Sequence, residues 1–223
     1  MTQDIITKIA VLGGTGSEGS GLALRWAHAG YDVAIGSRQA EKAQQAAAQI
    51  TQKLDTGLIH GMSNAEAAAW ADIVVLSVPY AAHTAILEQV KPAVQGKILV
   101  DVTVPLDPSK PQRVRLLPAG PAALEAQQLL GDEVQVVAAF QNVGAAHLAQ
   151  LGYDIDCDVL VCGNDQEAKR HVIRLAQAAG MYAWDAGPIE NAAVVEGLTS
   201  VLIHINIQHK TKAAGIRITS VPR

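Results

Sequence analysis

Lys8-Ile-Ala-Val-Leu-Gly-Gly-Thr-Gly-Ser-Glu-Gly19 runs from an apolar strand into a glycine-rich turn that opens a helix. The Gly14-x-Gly16-x-x-Gly19 spacing alone also serves ordinary turns. Its place directly after a buried strand and before a helix gives it chemical meaning: helix-start amides point at a pyrophosphate, and small residues let the backbone approach it. Thr15 and Ser17 add hydroxyl donors, while Glu18, an acid beside a pyrophosphate, is expected to turn to solvent. The second strand of such a fold normally ends in Asp or Glu when NAD is bound, because that carboxylate takes the ribose hydroxyls. This chain places Gly36-Ser37-Arg38 there. A carboxylate would repel a 2'-phosphate, whereas a guanidinium binds it with two charge-assisted bonds. Lys42, four residues on at the start of a helix, falls on the same face. Ser37, Arg38 and Lys42 therefore point to NADP, against the alternative of a solvated basic helix start.

Working outward, strands are expected at Ile9–Gly13, Asp32–Gly36, Leu58–Met62, Ile73–Val78, Ile98–Val102 and Val134–Phe140. Helical patterns lie between them at about Gly19–Ala29, Glu41–Ile50, Asn64–Ala69, His83–Val90 and Ala122–Leu130. This alternation predicts an α/β fold, a doubly wound parallel Rossmann sheet with right-handed crossovers. The proline-dense stretch Thr103 to Gly120 reads as a loop at the carboxyl end of the fifth strand, the edge where such sheets bind ligands. After Phe140 the pattern shifts to a helix near Ala145–Leu151, a strand at Val159–Cys162, a helix at Gln166–Ala179, a short strand at Tyr182–Trp184 and a long helix from about Asn191 to Gln208. We divide the chain into a dinucleotide-binding domain, residues 1–140, and a small carboxyl-terminal α/β domain, residues 141–223. No proline- or serine-rich linker separates them, which predicts a wide shared interface.

Composition narrows the function classes. A net charge of -4, spread without segregation, gives no electrostatic footprint for nucleic acid. The amino terminus before Ile9 is short and polar, and no apolar run approaches the ~18 residues that span a bilayer; the expectation is a soluble, cytoplasmic protein. Cys157 and Cys162, five apart in an expected strand, point to opposite faces and read as core thiols. The seven histidines form no metal-ligand pattern, with His204 and His209 on different faces of a helix. No nucleophile elbow or paired-carboxylate pattern is present, and no Tyr-Lys or His-acid set for alcohol oxidation stands out. Hydride exchange between two aromatic cofactors needs less: the protein holds the reacting carbons ~3 to 3.5 Å apart and excludes water. Ser77-Val78-Pro79-Tyr80 and Val102-Thr103-Val104-Pro105 follow the fourth and fifth strands, so their valines are placed to wall a nicotinamide, though strand termination alone explains the prolines.

The segments Leu12–Gly19, Gly36–Ala43, Val161-Cys-Gly-Asn-Asp165, Asp185-Ala-Gly-Pro-Ile189, Val195-Glu-Gly-Leu-Thr199 and Ala214-Gly-Ile-Arg-Ile218 resemble, in order and over nearly the whole chain, the NADPH-dependent F420 reductase family, also called F420H2:NADP oxidoreductase. The resemblance implies reversible hydride transfer between NADP(H) and the deazaflavin coenzyme F420, with no side chain acting as catalyst and no metal. By position it implies that Gly14, Thr15, Gly16, Ser17, Glu18 and Gly19 hold the pyrophosphate, that Ser37, Arg38 and Lys42 hold the 2'-phosphate, and that Val78, Val104 and Ala145 line the nicotinamide end. On the F420 side it implies Gln141, Asn142, Val143, Gly144, Thr199, Ala214 and Gly215. It further implies homodimers. Archaeal members carry a histidine and a proline where this chain has Gln141 and Gly144, so the deazaflavin side of the cleft differs. An NADPH-dependent reductase of a flavin or other acceptor, as in the cytosolic domains of membrane ferric reductases, and a non-catalytic NADP sensor are the competing readings.

Overall fold

A computed structural model describes residues 8–222; the polar segment ahead of Lys8 lies outside the described residues. The parallel strands are β1 (Lys8–Leu12), β2 (Asp32–Ser37), β3 (Ile59–Ser63), β4 (Ile73–Leu76), β5 (Ile98–Asp101) and β6 (Gln135–Ala138). They are ordered β3-β2-β1-β4-β5-β6, so the chain reverses its winding between β1 and β4. That reversal opens a crevice at the strands' carboxyl ends. The crossover helices are α1 (Ser17–His28), α2 (Ala40–Leu54), α3 (Asn64–Trp70), α4 (Tyr80–Val90) and α5 (Ala122–Leu130).

Alternation along each buried strand divides the core into two layers. Ile9 and Val11 of β1 pack on one face with Leu22, Trp26 and Ala27 of α1 and Ala43 and Ala47 of α2. Ala10 and Leu12 pack on the other with Ala67 and Ala68 of α3, Leu87 and Val90 of α4, and Ala126 of α5. Alanine fills most helix positions nearest the sheet, which lets the helices sit close over the valine- and isoleucine-rich strands. β4 and β5 end earlier than their apolar runs suggested. Ser77-Val78 and Val102-Thr103 leave the sheet as crevice lip, and Pro79 serves as the residue preceding α4.

The carboxyl-terminal segment holds α6 (Ala145–Leu148), β7 (Val159–Gly163), α7 (Gln166–Ala178), β8 (Ala183–Asp185) and α8 (Ala192–His209). β7 pairs antiparallel with β6 through Val137 and Gly163, and β8 pairs parallel with β7. The two strands thereby extend the same sheet at its β6 edge to eight strands. α7 packs in the layer of α1 through Val172, Leu175 and Ala176, and the start of α8 packs in the layer of α5 through Ala192 and Val195. Cys157 lies ahead of β7, not in it; both thiols are free and buried, and burial is the leading cause that raises each, Cys162 to about 11.

Two side chains fasten this segment to α1. Trp26 Nε1 donates to the Leu175 carbonyl at 2.8 Å. The buried Arg25 guanidinium donates to the carbonyls of Leu148 (3.0 Å), Ala179 (2.9 Å), His147 (3.2 Å), Gln150 (2.8 Å) and Tyr153 (3.1 Å). These carbonyls lie at or beyond the carboxyl ends of α6 and α7, where helix dipoles leave partial negative charge. Arg25 therefore satisfies the ends of two helices at once.

Candidate functional site

Two cavities, of about 590 and 300 Å³, lie along the carboxyl ends of the strands and share Gly16, Ser77, Val78 and Pro79. They form one groove across the crevice between β1 and β4.

The larger cavity collects Thr15, Gly16, Ser37, Arg38, Lys42 and Val78. The geometry differs from the helical face expected for Arg38 and Lys42. α2 begins at Ala40, so Arg38 stands in the turn before it and reaches the cavity from the loop while Lys42 reaches it from the first helical turn. The Ser37 hydroxyl oxygen accepts from the Gln39 amide at 3.2 Å, which tightens that turn and leaves the hydroxyl proton to donate. Arg38 and Lys42 form no ion pair among the described residues. Two uncommitted cations and a hydroxyl donor at the end of β2 fit a dianionic phosphate. Asn64, which the sequence reading passed over, lines the same cavity; it is buried and its Oδ1 has no partner. Its place after the Ser63 cap of α3 was the available signal: a polar residue facing a glycine strand end at Gly36.

The turn between the cavities is built by close approach. A methyl group on Gly13, held at φ +77, would lie 2.3 Å from the Ser77 carbonyl oxygen, and one on Gly14 would lie 2.7 Å from that of Val11. One on Gly19 would meet the Gly14 Cα at 2.9 Å. Gly14 and Gly19 thus serve the packing of the turn, and of the three motif glycines Gly16, which is exposed, is the one that lines the groove.

The smaller cavity is walled by Ser17, Glu18, Val78, Thr103, Val104, Gln141, Val143 and Thr199. Glu18 is a correction: instead of turning to solvent it stands in the wall of this cavity. It keeps part of its surface open, but protein crowds the carboxyl enough that desolvation pushes its pKa up to about 8. Gln141 follows Phe140, a fully buried residue at φ +73 whose ring meets Trp26 edge-on at 5.8 Å. A left-handed conformation at a bulky residue is unfavourable and persists only where packing enforces it. Here it turns the chain off the end of β6 and sets Gln141 across the mouth of β5. Gln141 Nε2 donates to the Asp101 carbonyl at 2.8 Å, and the Thr199 hydroxyl donates to the Gln141 carbonyl at 2.7 Å. Gln141 Oε1 and Thr103 Oγ1 are buried without partners. The wall is thus largely apolar with a few polar side chains, Ser17, Gln141 and Thr199 among them, a lining that suits a ring edge carrying hydrogen-bonding groups.

Behind the wall lies a pair absent from the sequence reading. His83 and Asp101 are buried, with Nε2 2.7 Å from Oδ2. The Thr103 amide donates to Asp101 Oδ1 at 2.9 Å. Burial opposes the charge on His83, but the hydrogen bond and charge of Asp101 overcome it and the net shift is upward. The two residues come from different elements, α4 and β5, which is why spacing gave no sign of them. Glu196 of α8 accepts from the amides of Ala122 (3.0 Å) and Ala123 (3.2 Å), capping α5; burial pushes it up to about 7.

The remaining residues expected at the site lie elsewhere. Ala145 begins α6 and lines neither cavity. Asn142 is buried behind Gln141, its amide donating to the Asp158 carbonyl at 2.7 Å and lying 3.3 Å from Cys157 Sγ. Gly144 supports the chain after α8 through Ala213, the Ala214 amide donates to Asn206 Oδ1 at 2.8 Å, and Gly215 rests on Cys157. The structure thus brings Gln141, Val143 and Thr199 together at the groove, and gives Asn142, Gly144, Ala214 and Gly215 supporting contacts around it.

Comparison with known proteins finds relatives over nearly the whole chain. The profile of the family described as NADP oxidoreductase, coenzyme F420-dependent, matches residues 8–105. The F420-dependent NADP reductase of Methanocaldococcus jannaschii is 45% identical over 96% of this chain and 99% of its own length. A crystal structure from Arthrobacter sp. FB24, attributed to an F420-dependent NADP reductase, is 32% identical and superposes with a TM-score of 0.80, covering 95% of this chain and 98% of that one. The metalloreductase STEAP3 of Rattus norvegicus is more distant, 28% identical over 86% of this chain and 36% of that protein.

Proposed function

The chain belongs to the family of coenzyme F420-dependent NADP oxidoreductases, and on that premise we propose that it transfers a hydride reversibly between NADP(H) and coenzyme F420, holding both in the one groove across the strand ends. The observation that carries this is the pair of cavities joined at Gly16 and Val78, one bearing free cations and the other a largely apolar wall with a few polar side chains. Ser37, Arg38 and Lys42 hold the 2'-phosphate. Thr15, Gly16 and Ser17, with the start of α1, hold the pyrophosphate. Val78 and Val104 wall the nicotinamide, and Gln141, Val143 and Thr199 edge the deazaflavin.

The bound cofactors supply the chemistry, a hydride donor carbon on one ring and an acceptor carbon on the other. The protein's residues position and dehydrate. Val78 and Val104 offer flat apolar contact that excludes water, and Thr199 fixes the Gln141 backbone so that its amide keeps one orientation. In this reading residues 1–140 bind NADP and residues 141–223 complete the deazaflavin side, supported by Gln141, Val143 and Thr199 in the second cavity. Buried free thiols at Cys157 and Cys162 fit a reducing, cytoplasmic setting. Among the described residues no helix is long and apolar enough to cross a membrane.

A homodimer is part of the same reading. Val194, Val201 and Ile205 of α8 are exposed together with Val114 and Leu116 of the β5–α5 loop, an apolar surface suited to a second copy. Val201→Asp should lower the mass measured by sedimentation from dimer to monomer, and a wild type that sediments as a monomer would remove this part of the reading.

The site assignment is tested with Arg38→Ala. Loss of one charge-assisted phosphate contact should cost about 1–3 kcal/mol, a roughly 5- to 150-fold rise in the NADPH dissociation constant. NADH binding and the KM for F420 should stay within about twofold. Equal affinity of the wild type for NADPH and NADH would refute the NADP assignment, and failure of NADPH to reduce F420 would refute the proposed acceptor.

A further inference from the structure

Among the described residues, Glu18 is the one charged residue in the wall of the smaller cavity. The other walls are neutral: the hydroxyls of Ser17, Ser77, Thr103 and Thr199, the Gln141 amide, and apolar side chains including Val78 and Val104. No hydrogen bond or ion pair engages its carboxylate among the described residues. Arg25 and His28 lie two or more turns along α1, His147 sits on α6 stacked against Tyr153, and the His83–Asp101 pair lies behind the β5 lip. None of these adds to the effect of burial on Glu18. Because Val78 and Val104 share the cavity with Glu18, a nicotinamide lying on those valines occupies the same cavity as this side chain.

We propose that Glu18 discriminates between the two redox forms of the nucleotide, its carboxylate favouring the cationic nicotinamide of NADP+ over the neutral ring of NADPH. The inference rests on the NADP reading above. A charge beside a cation in a partly desolvated cavity interacts far more strongly than in water, while the same carboxylate beside an uncharged ring loses hydration with no compensating partner. The two ligands therefore pull the Glu18 equilibrium in opposite directions. NADP+ stabilises the ionised form and binds more tightly as pH rises. NADPH favours the protonated form and binds less tightly. With the free carboxyl near 8, the crossover falls within a range in which binding is readily measured.

The test is the ratio of the NADPH and NADP+ dissociation constants, measured by calorimetry between about pH 6.5 and pH 9.5 for the wild type and for Glu18→Gln. Both nucleotides carry the 2'-phosphate, so its titration and any change at Arg38 or Lys42 cancel in the ratio. The wild-type ratio should move by about tenfold toward NADP+ with a midpoint set by Glu18, as expected for a unit charge at short range. Glu18→Gln should bind both nucleotides with a pH-independent ratio close to the wild-type value at the acidic end. A flat wild-type ratio with both nucleotides bound, or the same slope in Glu18→Gln, overturns the inference alone. Folded wild type that binds neither nucleotide overturns the NADP reading and this inference with it.

Discussion

Arg25→Met should lower the unfolding free energy by about 3–5 kcal/mol, among the largest effects available to a single substitution in this chain. Methionine matches the aliphatic stem but withdraws the guanidinium from five carbonyls; those of Leu148, Ala179 and Tyr153 lose their donor, while those of His147 and Gln150 keep a backbone amide. Hydrogen bonds from a charged donor contribute about 1.5–3 kcal/mol each; some of these carbonyls regain water, so the total falls well below the sum. Burial disfavours the charged guanidinium and lowers its pKa, and no carboxylate pairs with it among the described residues, so the carbonyl set is what retains it. Urea denaturation would show the loss as a lower midpoint at unchanged slope. A variant within about 1 kcal/mol of the wild type would mean that Arg25 is dispensable to the docking of α6 and α7 on α1.

Gly16→Val should leave the fold intact and weaken NADPH binding by more than about 100-fold, since the second glycine of the motif is where the backbone meets the pyrophosphate. Gly16 has φ -78 and ψ 163, extended values open to any residue. A Cβ there would meet only the Gly13 carbonyl oxygen, at 3.4 Å, so the isopropyl group is accommodated by the protein and excludes the ligand. Thermal unfolding of the ligand-free variant should match the wild type within a few degrees, while calorimetry with NADPH should show no heat at concentrations that saturate the wild type. Near-normal binding would place the pyrophosphate elsewhere.

The layout of strands and helices was legible because most buried strands are short β-branched runs and the crossover helices carry apolar faces, rich in alanine on α2, α3 and α5. The register of apolar runs placed α5 to the residue and the other elements to within a few residues. What the sequence did not disclose is tertiary in origin. Nothing in Val159–Cys162 announces that this strand enters the first sheet antiparallel, because periodicity is the same in either direction. Arg25 reads as one polar residue on an amphipathic helix, and only the helix ends brought beneath it explain its burial.

The site divides along the same line. Ser37, Arg38 and Lys42 were legible from local spacing, since all three sit within one strand–helix turn. His83, Asp101 and Asn64 were not, because their partners or cavities are assembled from separate elements. Glu18 was misplaced for a related reason: an acid near a phosphate site is expected to avoid it, but Glu18 shares its cavity with the apolar side chains of Val78 and Val104.

If the two cavities serve one reaction, a labelled hydride passes directly from one bound ring to the other. NADPH carrying deuterium at the transferred position of its nicotinamide is mixed with F420 and the protein in ordinary water, and the reduced deazaflavin is analysed by mass spectrometry. Two rings stacked face to face against the wall of Val78 and Val104 pass the label without exchange, which predicts one deuterium in each reduced F420 and an equal loss of NADPH. Label appearing in the solvent, or NADPH oxidised with F420 left unreduced, would contradict it.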